Sequence, residues 1–120
     1  MLQDAGTSID LGLGIAETLK GKSSLIIAST DFSHYVPYQT AYKKDSMVAE
    51  AITGMDAARV GKIVREEHIS MCGPGPVMAA ITASAELGAK SCRKLCYATS
   101  GDTSGDKDAV VGYGSFCISL

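Results

Sequence analysis

Apolar and polar positions along the chain fall into two rhythms, and their order predicts a layered α/β domain. From about Asp4 to Lys20, Ile9, Leu11, Leu13, Ile15, Ala16 and Leu19 give the broad apolar surface of a helix. Gly12 and Gly14 weaken its middle, since each costs about 1 kcal/mol relative to Ala in a helix interior. The run from Ser24 to Thr30, with Leu25, Ile26, Ile27 and Ala28 at its centre, is too short for a helix and reads as a buried strand. A helix from Tyr38 to Thr53 places Ala41, Val48, Ala51 and Ile52 on one side. Another starts at Asp56, its cap, and carries Val60, Ile63 and Val64 at helical spacing. Gly73-Pro74-Gly75-Pro76 opens a further helix, whose face from Val77 to Leu87 includes Ile81 and Ser84 and which Gly88 stops. Ser91 to Tyr97 and Val110 to Leu120 read as two more strands, joined by a turn-rich loop over Ser100 to Asp108.

Length and composition narrow the class. A chain of 120 residues is one domain with one core. Hydrophobic residues at 46% and charged residues at 20% describe a globular protein rather than a disordered one. Eleven basic against 13 acidic residues leave no basic stripe for a nucleic acid, and the lack of Trp argues against a base-stacking platform. No apolar run approaches the ~18 residues that span a bilayer. Met1-Leu2-Gln3-Asp4 has neither the positive start nor the apolar stretch of a signal peptide, so a cytoplasmic location is expected. Cys72, Cys92, Cys96 and Cys117 are then reduced thiols, and Cys92, Cys96 and Cys117 read as buried, inert ones.

Several motifs fail. Gly21-Lys22-Ser23 ends like a phosphate-binding loop, but Ala16 stands where the upstream Gly belongs and the segment precedes its strand instead of following it. Asp102, Asp106 and Asp108 lack the spacing and terminal Glu of a calcium loop and read as a solvated turn. His68 reads as an ordinary polar helix end.

Two features survive. Asp31 and His34 fall just beyond the carboxyl end of the first strand, where layered sheets bind ligands, and an Asp can orient a His for acid/base work. Cys72 stands immediately before a helix, where the dipole favours a thiolate for nucleophilic chemistry or metal ligation. These residues alone are too few for a closed zinc or iron site, which takes at least three protein ligands. A metal-free Cys-His hydrolase, with Cys72 as nucleophile and His34 as base, is a further option.

Ser29-Thr30-Asp31-Phe32-Ser33-His34-Tyr35, Tyr42-Lys43-Lys44-Asp45, Met71-Cys72-Gly73-Pro74-Gly75-Pro76, Tyr97-Ala98-Thr99-Ser100-Gly101-Asp102 and Val110-Val111-Gly112-Tyr113-Gly114 together resemble the Memo family, also called the B component of the AmmeMemoRadiSam system. The resemblance covers the C-terminal half of that family, whose members are roughly twice this length. It implies a three-layer α/β/α fold with a mixed sheet, related to class III extradiol dioxygenases. It also implies that residues 1–120 form a single domain, the C-terminal portion of a longer protein. Cys72 matches the family's metal-ligand Cys, His34 the acid/base His, and Asp31 its neighbour in the pocket, with iron or copper as the metal. The two metal-binding His of the N-terminal half have no counterpart in this chain.

The reading that follows is half of a metal-dependent redox or dioxygenase-like pocket. The alternative is a non-catalytic adaptor that binds a peptide or small ligand through the same fold. Either way, surface normally covered by the N-terminal half would be exposed and would favour self-association or docking of that half. No nucleic-acid or membrane partner is expected.

Overall fold

The computed structural model describes residues 3–120; Met1 and Leu2, the first two residues of the opening read above, lie outside it. Five helices and an antiparallel strand pair make a mixed α/β fold. Helix α1 runs Ala5–Leu19, α2 Tyr38–Thr53, α3 Ala57–Glu66 and α4 Pro74–Glu86. Strand β1, Ser91–Thr99, is followed by a single turn of helix, α5 Ser100–Ser104, and by strand β2, Gly112–Ser119. No helix among the described residues is long and apolar enough to cross a membrane.

Local chemistry accounts for the boundaries. The Asp4 carboxylate accepts the Thr7 amide at 2.8 Å and starts α1, and Asp56 accepts that of Arg59 at 3.0 Å and starts α3. Helix α4 begins three residues before Val77 because Pro74 and Pro76 fit a first helical turn, where proline's missing N–H costs nothing. The expected loop at Ser100 instead opens as α5. Thr99 and Asp102 form a reciprocal capping box there, and Gly105, at φ 79°, closes the turn.

The core lies between the four long helices and one face of the strands. Phe32, Val48, Ile52, Val60, Met78 and Ile81 are among its most deeply buried members. Along β2, Phe116 and Ile118 pack on this core while Ser115 and Cys117 face away. A register irregularity between Lys94 and Cys96 interrupts the alternation of β1. Cys92 is therefore half-buried against the core, whereas Cys96 and Cys117 are exposed. The expectation of three buried thiols thus fails for Cys96 and Cys117 and holds only in part for Cys92, whose ionisation burial pushes up, with Cys117 adding to the shift.

The run from Ser24 to Thr30 is extended but joins no ladder. Ile26, Ala28 and Thr30 turn partly inward, while Leu25 and Ile27 stand 83% and 78% exposed. The chain meets β2 only at Phe32 and Ser33, which exchange main-chain hydrogen bonds with Gly112, each 2.9 Å long. Val36 and Val110 continue this antiparallel contact.

The glycine that weakened the reading of α1 has a packing role. A Cβ on Gly12 would sit 2.6 Å from the Ala79 carbonyl oxygen and 2.7 Å from Thr82 Cβ, so α1 lies on α4 at a distance only glycine allows. Gly12→Ala gains about 1 kcal/mol of helix propensity but forces α1 off α4, at about 1–3 kcal/mol or more. The steric cost should win, and thermal unfolding should show a lower Tm than the unsubstituted chain.

Candidate functional site

The extended run delivers Asp31 and His34 to an open face beside the turn that carries Cys72. Two main-chain contacts set the approach: the Cys72 N–H donates to the Asp31 carbonyl at 3.4 Å, and the Asp31 N–H donates to Cys72 Sγ at 3.2 Å. Thr30 Oγ1 lies 3.4 Å from the same sulfur and accepts the Gly73 N–H at 2.8 Å. Cys72 is exposed, so the sulfur is accessible.

His34 is oriented from the turn just before Cys72. Its backbone N–H donates to Ser70 Oγ at 2.7 Å, and Ser70 Oγ donates back to the His34 carbonyl at 3.3 Å. Ring Nδ1 lies 2.6 Å from the Ser70 carbonyl, which can only accept, so Nδ1 carries the proton. In the neutral ring Nε2 is then the free lone pair, and it points toward Asp31 Oδ2 at 3.8 Å. That gap is too long for a direct hydrogen bond. Asp31 thus stands next to both of the others, its main chain at Cys72 Sγ and its carboxylate 3.8 Å from His34 Nε2. His68 does not: it sits exposed at φ 50° in the turn after α3, as its reading as a helix end required.

Three supporting groups escaped the sequence reading. Gln3 bridges the Cys72 turn with one side-chain amide, donating to the Cys72 carbonyl at 2.8 Å and accepting the Gly75 N–H at 2.5 Å. Ser70 holds His34 as described. Asp45, fully buried in α2, holds Ser33: its Oδ1 accepts the Ser33 hydroxyl at 2.6 Å and the Ser33 N–H at 3.1 Å, and its Oδ2 accepts the Tyr97 hydroxyl at 2.5 Å. Gly112 closes over this knot, and any Cβ there would collide with the Asp45 carboxylate. These partners are 36 to 72 residues apart for Ser70 and Gln3, and 12 and 52 for Asp45. No local spacing encodes them; Asp45 alone had a signal, as part of the Tyr42-Lys43-Lys44-Asp45 block.

Among the described residues no group of three or more His, Cys, Asp or Glu side chains is gathered closely enough to hold a metal ion. Cys72 and His34 supply a soft donor and an imidazole, which suit a transition metal, but they fill only one corner of a coordination sphere. A groove lies alongside, sharing Thr30 and Phe32 with the segment that carries Asp31.

Comparison with known proteins agrees with the motifs that line this face. The model of the family described as Memo-like protein matches residues 1–117. A MEMO1 family protein of Methanococcus maripaludis strain C6 is 46% identical over 120 residues, covering 98% of this chain and 42% of the relative. One from Methanothermobacter thermautotrophicus strain Delta H is 43% identical over 114 residues, covering 93% and 41%. One from Methanococcoides burtonii is 41% identical over 119 residues, covering 98% and 45%. The chain belongs to the Memo-like family. It spans less than half the length of these curated relatives.

The buried knot makes two expectations. Asp45→Ala strands the Ser33 and Tyr97 hydroxyls and should cost about 3 kcal/mol, read from denaturant unfolding. Burial, helped by the Asp45 hydrogen bond, raises the ionisation of the Tyr97 phenol above its ordinary range. The folded state holds that proton more tightly, so this contribution to stability is complete below pH about 10 and is lost as the pH rises further. Phenolate absorbance should show Tyr97 ionising only as the chain unfolds in alkali, a step that Tyr97→Phe removes.

Proposed function

We propose that this chain supplies one side of a redox pocket that uses iron or copper. Cys72 is the metal ligand and His34, backed by Asp31, is the group that takes up and returns a proton. What supports the reading is the position of Asp31 beside both Cys72 and His34, with the sulfur held by an amide donor and the imidazole by a carbonyl. The thiolate is the form in which a cysteine binds a metal. The Ser70 carbonyl fixes Nδ1 as the protonated nitrogen and leaves Nε2 to accept a proton beside a carboxylate, the geometry of general acid/base work. A bound iron or copper ion would supply one-electron or oxygen chemistry, for which a thiolate with imidazoles is a suitable donor set.

The remaining ligands are assigned to the part of the family's length that this chain does not span, since the described residues gather no complete set. Four unpaired cysteines suit a reducing cytoplasm.

Anaerobic loading with ferrous or cuprous ion tests the reading. It should be done on the chain alone and on the chain mixed with the unmatched portion of the M. maripaludis strain C6 relative. The mixture should retain about one equivalent of metal, lose it with Cys72→Ala and keep it with His34→Ala. Retention that ignores Cys72→Ala, or no retention in the mixture, would remove the redox reading and leave the adaptor reading of the same face.

A further inference from the structure

The Asp45 carboxylate and the Tyr97 phenol have no part in the pocket chemistry, yet the phenol hydroxyl donates to Asp45 Oδ2 at 2.5 Å. A Cβ on Gly112 would come within 2.7 Å of the phenol oxygen and collide with the carboxylate, so the main chain of β2 closes over the pair. From Tyr97 a file of rings leads outward. Its ring centre lies 5.0 Å from that of Tyr42, and Tyr42 lies 5.3 Å from Tyr38. Inward, Tyr97 meets Phe32 edge-on at 6.3 Å. The Lys107 ammonium stands 4.6 Å from the centre of the Tyr38 ring, and Tyr42 is exposed.

The phenols of this file differ in what would happen if one lost an electron. An oxidised phenol is a strong acid, and a radical cation covered by main chain would be as costly as any unsolvated charge. Tyr97 avoids that charge, because a carboxylate already accepts its hydroxyl and can take the proton without any other movement. The cation over Tyr38 disfavours removal of an electron from that ring, since their attraction depends on its electron-rich face. Phe32 has no hydroxyl proton to give up. The arrangement therefore singles out Tyr97, with Tyr42 as its neighbour toward solvent.

We infer that Tyr97 is a redox-active tyrosine: a one-electron oxidant removes an electron from its ring while the hydroxyl proton crosses to Asp45 Oδ2. The products are a neutral phenoxyl radical, a neutral carboxylic acid and an oxidant reduced by one electron. Tyr42 then returns an electron to Tyr97, the Asp45 proton goes back to the phenol, and the Tyr42 hydroxyl proton passes to water. A thiol in solvent restores Tyr42 by giving up a hydrogen atom. Asp45 Oδ1 accepts the Ser33 hydroxyl at 2.6 Å, so the path ends one residue from His34. The inference rests on the iron or copper reading for the identity of the oxidant, and on the ring and hydrogen-bond geometry for everything else.

The test uses the full chain free of iron and copper, oxidised by a photogenerated ruthenium(III) tris(bipyridine) complex, frozen and read by high-field electron paramagnetic resonance. A phenoxyl signal with the signature of a hydrogen-bonded oxygen should appear. It should vanish in Tyr97→Phe and persist when the exposed Tyr35 or Tyr113 is changed to Phe. Asp45→Asn keeps the shape but not the proton acceptor, and should lower the yield at least about tenfold, the worth of one hydrogen bond to a charged group. Tyr42→Phe should lengthen the life of the radical severalfold. If Asp45→Asn does not fold, the hydrogen-bond signature and its loss in Tyr97→Phe decide. No radical, a signal that survives Tyr97→Phe or lacks the signature, or full yield in folded Asp45→Asn would overturn the proposal, and unchanged decay in Tyr42→Phe would overturn the exit step. Because the oxidant is external, failure here leaves the metal reading standing, and failed metal retention leaves this result standing.

Discussion

The Asp45 carboxylate is the constraint on which the rest of the arrangement depends. It is buried in α2, yet it reaches the loop before His34 through Ser33 and reaches β1 through Tyr97. A buried carboxylate without partners would be costly, and here both oxygens are used. Helix, loop and strand must therefore come together at one point, and the contact of Phe32 and Ser33 with Gly112 is made beside it. Phe32 then stacks on Phe116 and meets Tyr97 edge-on, which extends the knot into the apolar core. His34 follows directly from this anchored pair, so its placement is inherited from the core.

Most of the fold could be read from the chain because it rests on local rules. Helix α2 runs from Tyr38 to Thr53 as its apolar spacing indicates, and Asp56 caps α3 as its side-chain chemistry requires. The candidates Asp31, His34 and Cys72 were legible as candidates, since they lie in short blocks with a chemical logic, and the fold brings Asp31 beside the other two. What could not be read is what depends on distance in sequence. Gln3 meets Cys72 across 69 residues and Ser70 meets His34 across 36, and neither contact leaves a periodic trace. The irregularity in β1 is a third example: strict alternation put Cys92 and Cys96 on one side, and one unpaired residue separates them.

The run from Ser24 to Thr30 shows the opposite relation, a sequence that asks for more structure than its own chain provides. Its composition is that of a strand covered on both faces, but only one face meets the helices. Thr30 borders the groove and Asp31 lies beside His34, so the two features share one stretch of main chain.

The brace formed by Gln3 has a mechanical consequence. Its amide has a donor end on the Cys72 carbonyl and an acceptor end on the Gly75 N–H, so only one orientation of the side chain satisfies both. Because Gln3 directly precedes the cap of α1, the thiol turn is coupled in series to whatever is attached ahead of that helix. Tension applied there, by a fused tag or by a tethered neighbour, loads the Cys72 turn before it unwinds α1.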